Sequence, residues 1–265
     1  MKIAALQMVS SPDWDRNRDS AARLIAAAAA AGAQFVLLPE YFCVMGRRDT
    51  DKLALAEQAG SGPIQDFLAA AAREHGVWLA GGTLPVSVSA SQALNRCCVF
   101  APDGSLAAHY DKLHLFSFDN GRESHDEART LQAGREPVAL EAAGWRIGLS
   151  ICYDLRFPEL YRALMRPPCD LLCVPAAFTH TTGQAHWELL LRARAVENQC
   201  YVLASAQGGL HENGRRTWGH SMVIDPWGDV LQVLPEGEGM VMAELNRQRI
   251  DSVRQQLPAL RHRRD

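Results

Sequence analysis

Short apolar blocks alternate along the chain with longer segments whose apolar residues recur every three to four positions, and this alternation sets the predicted elements. KIAALQM (2–8) reads as a strand, DRNRDSAARLIAAAAAAG (15–32) as a helix closed by Gly32, and FVLLPE (35–40) as a strand. GPIQDFLAAAAREHG (62–76) follows as a helix with Pro63 in its first turn, then VWLAGGT (77–83) as a strand. That βαβαβ order implies parallel pairing through crossover helices. ALNRCCVFAPDGSLAAHYDK (93–112) reads as a hairpin about Pro102, Asp103 and Gly104.

The second half repeats these events. VALEAAGWRIGLSIC (138–152) gives a pair of strands, FPELYRALMR (157–166) a helix, DLLCVPAAF (170–178) a strand, AHWELLLRARAVENQ (185–199) a helix and CYVLASAQ (200–207) a strand. A hairpin, SMVIDPWGDVLQVL (221–234), turns at Asp225 to Gly228; GMVMAELN (239–246) and RQRIDSVRQQLPAL (247–260) close as a strand and a helix. Each half thus offers parallel βα units and then a hairpin. The expected fold class is α/β: an α-β-β-α sandwich of two mixed sheets with outer helices, in one domain over 1–265. Residues 113–136 are polar, weakly periodic and too long for an ordinary connection, which predicts a functional lid or a mobile loop.

Composition narrows the function classes. The chain has 265 residues, 48% hydrophobic and 22% charged, enough for a substantial core. With a net charge of −3 and both signs mixed along the chain, there is no footprint for nucleic acid or anionic lipid. The basic residues of LRHRRD at 260–265 read as a solvated tail. The nearest thing to a membrane span, RLIAAAAAAGAQFVLLP (23–39), is mostly alanine and broken by Gly32 and Gln34. MKIAALQMVS reads as a strand rather than a secretory signal. Seven cysteines at irregular spacing point to reduced thiols and a cytoplasmic location.

Ligands of α/β sheets gather outside the carboxyl ends of strands, which singles out Glu40 and Cys152, at the ends of FVLLPE and WRIGLSIC, and Lys112, which follows the hairpin strand in HYDKLHL. Alone, each has an ordinary reading, as a cap, a surface lysine and a core thiol. Together they are a base, a cation and a nucleophile. A free thiol with a pKa near ~8.5 is mostly protonated at neutral pH and needs such neighbours to attack an amide or nitrile. Glu40, flanked by Val36, Leu37, Leu38 and Pro39, is expected to shuttle protons with a raised pKa. Lys112 and the backbone N–H of Tyr153 are expected to hold the oxyanion.

Other patterns compete. His186 and Glu188, with Cys169 and Cys173, echo a zinc deaminase motif, but in reversed order and with the cysteines one residue too far apart. His114 could pair with Cys152 in a papain-like arrangement, or pack beneath Lys112 as a hydrogen-bond partner. Cys97 and Cys98 are adjacent on a strand and so face opposite sides.

LLPE (37–40), YDKLHLF (110–116) and ICYDLRFPEL (151–160) resemble, in order, the three signature segments of the nitrilase (carbon–nitrogen hydrolase) superfamily, and the likeness runs over essentially the whole chain. The resemblance implies Glu40 as general base, Lys112 as oxyanion stabiliser and Cys152 as nucleophile. It also implies the α-β-β-α sandwich, a homodimer or higher homo-oligomer, and no metal or organic cofactor. The superfamily often carries a second glutamate after the lysine; EARTLQAG points to Glu127, with Glu123 as a rival. PAAFTHTTGQAHWELLLRARAVENQCYV (175–202) and GHSMVIDPWG (219–228) resemble the Nit branch, which hydrolyses the amide of deaminated glutathione or of α-ketoglutaramate. ENQCYVLASAQGG and LPALRHRR are more similar to the former. A carboxylate-bearing substrate of this kind needs a cation. Arg156 is the candidate clamp, its alternative being an ion pair with Asp154 or Glu159. Phe178 and Thr179 are expected to line the same pocket, with core packing as the other reading of Phe178. A catalytically silent scaffold is the rival from a different class, weakened by the presence of all three reactive residues.

Overall fold

The computed structural model describes residues 1–121 and 124–264. The first half runs β1 (Lys2–Gln7), α1 (Trp14–Ala30), β2 (Phe35–Leu37), α2 (Asp51–Ala54), α3 (Pro63–His75), β3 (Trp78–Ala80), β4 (Leu84–Ser87), β5 (Ala93–Phe100) and β6 (Leu106–Asp111). Asp13 caps α1 by accepting from Arg16 N–H, and α3 starts at Pro63 and ends at Gly76 in the left-handed conformation. The 113–136 segment carries its own structure: a hairpin of β7 (Ser117–Asp119) and β8 (Ser124–Asp126), a 3₁₀ turn over Glu127–Arg129, and β9 (Leu131–Gln132).

The second half contributes β10 (Val138–Ala142), β11 (Trp145–Leu149), α4 (Pro158–Ala163), β12 (Leu171–Ala176), α5 (His180–Asn198), β13 (Tyr201–Ala206), β14 (Gly208–Leu210), β15 (Arg216–Trp218), β16 (Ser221–Ile224), β17 (Val230–Leu234), β18 (Gly239–Glu244) and α6 (Arg247–Gln256). Two predicted helices differ in extent. The first, α4, is shorter than its apolar pattern suggested. By contrast α5 begins five residues before AHWE, because the Thr179 hydroxyl caps it by accepting from Thr182 N–H at 3.3 Å.

Among the described residues two large sheets form, ordered β18-β1-β2-β3-β5-β4, with β6 and β9 also on β5, and β10-β11-β12-β13-β16-β17, beside the two-stranded ribbons β7-β8 and β14-β15. Each large sheet has three parallel strands at its centre, β1-β2-β3 and β11-β12-β13, flanked by antiparallel pairs. Strand alternation builds the layers. Ile3, Ala5, Phe35 and Leu37 face the second sheet, while Ala4, Leu6, Val36 and Leu38 face α1 and α3. The fold is therefore the expected α-β-β-α sandwich. Cys97 enters the inter-sheet core and Cys98 the outer one, on opposite faces as predicted.

The sequence leaves open where the last strand pairs. β18 crosses back and lies antiparallel to β1, Lys2 opposite Glu244. Where the two sheets meet, Gly208 N–H donates to Met8 O at 2.9 Å and the Ser205 hydroxyl donates to Leu6 O. No helix among the described residues is long and apolar enough to cross a membrane.

Candidate active site

Glu40 leaves the end of β2 through a backbone that only a glycine neighbour permits. Gly82 sits at φ +54, and a Cβ there would lie 2.1 Å from Pro39 O. The carboxylate is 1% exposed and takes three donors: Lys112 Nζ at 2.8 Å and Asn95 Nδ2 at 3.0 Å on Oε1, and Ala177 N–H at 2.9 Å on Oε2. The surroundings are thus N–H groups rather than the apolar wall suggested by the flanking residues. Gln207, at the end of β13, also donates to Glu40 O at 3.1 Å.

Lys112 follows β6 and is buried between two carboxylates, Glu40 and Glu127. Its Nζ lies 3.0 and 2.8 Å from the two oxygens of Glu127. Burial alone would push the ammonium down, but Glu127, Glu40 and Cys152 outweigh it and hold the pKa well above the ordinary lysine value. Glu127 shows the converse: burial opposes its charge, yet Lys112, Phe116 N–H and the Tyr41 hydroxyl keep its pKa below the usual range. Of the two candidate second glutamates, Glu127 lies against Lys112, whereas Glu123 lies outside the described residues.

Cys152 ends the run after β11 and opens a 3₁₀ turn, Cys152–Arg156, at φ 48. A left-handed non-glycine residue at a strand-to-turn junction lifts the thiol out of the sheet. Burial and then Glu40 push the thiol pKa well above its ordinary value, while Lys112 and the Ala177 N–H pull the other way. The resting side chain is thus a thiol. The turn is held from behind, since Arg194 donates twice to Leu155 O, at 3.1 and 2.8 Å.

A buried aspartate ties this turn to the lysine loop. Asp154 Oδ2 accepts from Ile151 N–H at 2.8 Å and the Tyr110 hydroxyl at 2.7 Å; Oδ1 accepts from His114 N–H at 3.0 Å and meets His114 Nδ1 at 2.7 Å. His114 thus pairs with Asp154 and stacks on Phe157 at 3.7 Å, correcting both sequence expectations, a papain-like partner of Cys152 and a support beneath Lys112.

Cys152, Tyr153, Arg156, Phe178 and Thr179 line one cavity with Phe116, Ala177 and Thr182. Arg156 makes neither expected ion pair: it reaches His186 Nδ1 at 3.2 Å, and its guanidinium carbon lies 5.3 Å from the Phe178 ring centre and 5.8 Å from that of Tyr153. Phe178 serves both its readings, lining the cavity and packing on Trp187 at 4.8 Å. The two halves of the zinc pattern are engaged elsewhere, His186 by Arg156 and the Cys169 thiol by Leu164 O at 3.1 Å. Among the described residues no group of three His, Cys, Asp or Glu could hold a metal ion.

Phe116, whose N–H donates to Glu127 at 2.7 Å, also borders a second recess beside Tyr41 and Glu127. Sequence reasoning missed Tyr41, Asn95 and Gln207. One signal was present: Asn95 is a polar residue in an apolar strand, 2% exposed, and such a residue needs a partner.

The carbon-nitrogen hydrolase family pattern matches residues 2–255. A deaminated glutathione amidase of Synechocystis is 45% identical over 264 residues, covering 98% of this chain and 97% of its own. An ω-amidase of Xenopus laevis is 37% identical over 265 residues, covering 100% and 95%. Among solved structures, Nit3 of Saccharomyces cerevisiae, described as a member of branch 10 of the nitrilase superfamily, superposes with a TM-score of 0.90 at 31% identity, covering 100% of this chain and 97% of its own.

Proposed function

The chain belongs to the carbon–nitrogen hydrolase family and acts on carbon–nitrogen bonds other than peptide bonds, and from that premise we propose that it is a cysteine-dependent amidase whose substrate is deaminated glutathione. One observation carries the mechanism: a buried thiol beside a carboxylate that is fixed by Lys112, Asn95 and Ala177 N–H. A thiol at rest needs a base at the moment of attack.

Cys152 Sγ attacks the amide carbon as its proton passes to Glu40. The oxyanion of the tetrahedral intermediate is held by the Lys112 ammonium and by Tyr153 N–H, in the first turn after the nucleophile. Glu40 returns the proton to the departing nitrogen, the C–N bond breaks, and a thioester to Cys152 remains. Water then attacks the thioester carbon while Glu40 takes its proton; collapse releases the carboxylic acid, and the proton on Glu40 restores the thiol. Glu127 keeps Lys112 charged and in place. Arg156, 5.3 Å above Phe178 in the cavity of Cys152, clamps the carboxylate of the acyl half.

The products from deaminated glutathione are 2-oxoglutarate and cysteinylglycine. The Xenopus relative supports α-ketoglutaramate, which has the same acyl half, as the second substrate. Product release from both compounds, measured side by side with Cys152→Ala as the blank, tests the reading. Preference for deaminated glutathione, abolished by the substitution, is expected. Turnover of neither compound by folded protein refutes it.

The protein works as a cytoplasmic homodimer in this reading. Leu189 and Val196, seven residues apart on one face of α5, are 68% and 49% exposed, which supports self-association there. Sedimentation of Leu189→Glu should show dissociation; an unchanged mass would remove α5 from the interface.

A further inference from the structure

The recess that borders Phe116 beside Tyr41 and Glu127 has no role in the steps above, yet it shares Glu127 and Tyr41 with the reacting cluster. Three cations line it: Arg48, Lys52 and Arg215. Arg48 is paired with Asp51 at 3.1 Å. Among the described residues, neither Lys52 nor Arg215 forms an ion pair with a carboxylate. Lys52 Nζ is 3.3 Å from the Thr130 hydroxyl and 5.3 Å from the Tyr41 ring centre. Burial, with Lys112 and Arg215 adding, pulls the Lys52 pKa down, while Glu127 and Asp49 work against it.

Among the described residues none of the acidic residues in the lining forms an ion pair with Lys52 or Arg215: Glu127 is held by Lys112, Asp126 lies 3.4 Å from Arg129, and Asp49 is exposed. Two cations facing one recess repel each other, and an anion placed between them relieves that repulsion and supplies charge-assisted hydrogen bonds.

The substrate proposed above has carboxylates at both ends. Its acyl half is a compact keto acid, whose carboxylate is assigned above to Arg156 in the cavity of Cys152. Its amine half is a dipeptide that ends in the second carboxylate, which needs a cation of its own outside the cavity of Cys152. We propose that the recess bordering Phe116 is the subsite for the departing amine, and that Lys52 and Arg215 hold its terminal carboxylate. This rests on the amidase reading and makes the subsite the basis of discrimination: α-ketoglutaramate, whose leaving group is ammonia, does not reach it.

The test compares kcat/KM for deaminated glutathione, for its terminal carboxamide and for α-ketoglutaramate, using wild type, Arg215→Met and Arg215→Lys. In Arg215→Met, the ratio of kcat/KM for deaminated glutathione to that for α-ketoglutaramate should fall about tenfold or more, chiefly through KM, with partial recovery in Arg215→Lys. The carboxamide should lose a similar factor on wild type and little further on Arg215→Met, because both changes remove one interaction. Equal losses on both natural substrates, no change in the ratio, or full additivity with the carboxamide would overturn the subsite while leaving the amidase reading intact. Lys52→Met gives the same test if the Arg215 variants fold poorly. Wild-type protein that turns over neither compound removes the amidase reading and the subsite with it.

Discussion

Replacing Glu40 by glutamine separates proton transfer from nucleophilicity. The oxygen of the new side-chain amide can still accept from Lys112, now at 2.8 Å, and from Asn95, at 3.0 Å, but its NH₂ would face Ala177 N–H, donor against donor, where 2.9 Å now separates donor and acceptor. That mismatch costs roughly 1–3 kcal/mol of stability. The catalytic cost is larger. With the Cys152 thiol pKa pushed well above its ordinary value by burial and by Glu40, the side chain rests protonated at pH 7, so attack depends on a base. Loss of general acid–base catalysis predicts a fall in kcat/KM of about 10²–10⁴, or roughly 3–5 kcal/mol of activation free energy.

Glu40 is also the largest charge raising the thiol pKa, so removing it lowers that pKa. Alkylation of Cys152 by iodoacetamide, which needs no proton returned to a leaving group, should therefore proceed at least as fast in Glu40→Gln as in wild type. Steady-state amide hydrolysis and the alkylation rate at pH 7 are the two assays. Hydrolysis within tenfold of wild type would refute the proton-shuttle role. Parallel loss of hydrolysis and alkylation would mean that the substitution had closed the pocket instead.

Two further outcomes follow from the buried carboxylates. Asp154→Asn can satisfy only one of the two donor pairs that meet the aspartate, so it should cost roughly 3–5 kcal/mol, lower Tm by roughly 10 °C and reduce kcat; a Tm within about 2 °C of wild type would contradict the four-donor arrangement. The depressed pKa of Glu127 contributes stability that is fully present above its unfolded value near ~4.3 and is lost as pH falls through the lower folded value. Denaturant titrations should therefore show the gap between wild type and Glu127→Gln shrinking as pH drops below about 4, and a gap independent of pH would be the contrary result.

The layers of the sandwich were legible because the strand and helix periods differ and each half repeats the same order. Glu40, Lys112 and Cys152 were legible because each follows a strand, Glu40 and Cys152 at the end of an apolar run and Lys112 after the hairpin strand. Tyr41 and Asn95 were not, because their partners, Glu127 and Glu40, lie 86 and 55 residues away and nothing local marks the pairing. His114 misled for the same reason: its nearness to Lys112 in sequence says nothing of Asp154, 40 residues on, which takes its ring nitrogen. The start of α5 was missed because HTTGQ reads as polar loop until Thr179 is seen as its cap. The pairing of β18 could not be read from periodicity, which gives an element's type and not its neighbour.

That pairing bears on how the polypeptide is made. From Lys2 opposite Glu244 to Gln7 opposite Gly239, the outer edge of β1 is covered only by a segment synthesised more than two hundred residues later. While the ribosome is still at work, the edge stays bare, with unsatisfied amides and carbonyls able to recruit a strand from another nascent chain. Closing so long a loop is also a slow, late event, because its entropy is lost before the contact rewards it. Completion of the first sheet must then wait until residues 239–244 have emerged, and the yield of folded protein should depend on how well neighbouring chains are kept apart until they arrive.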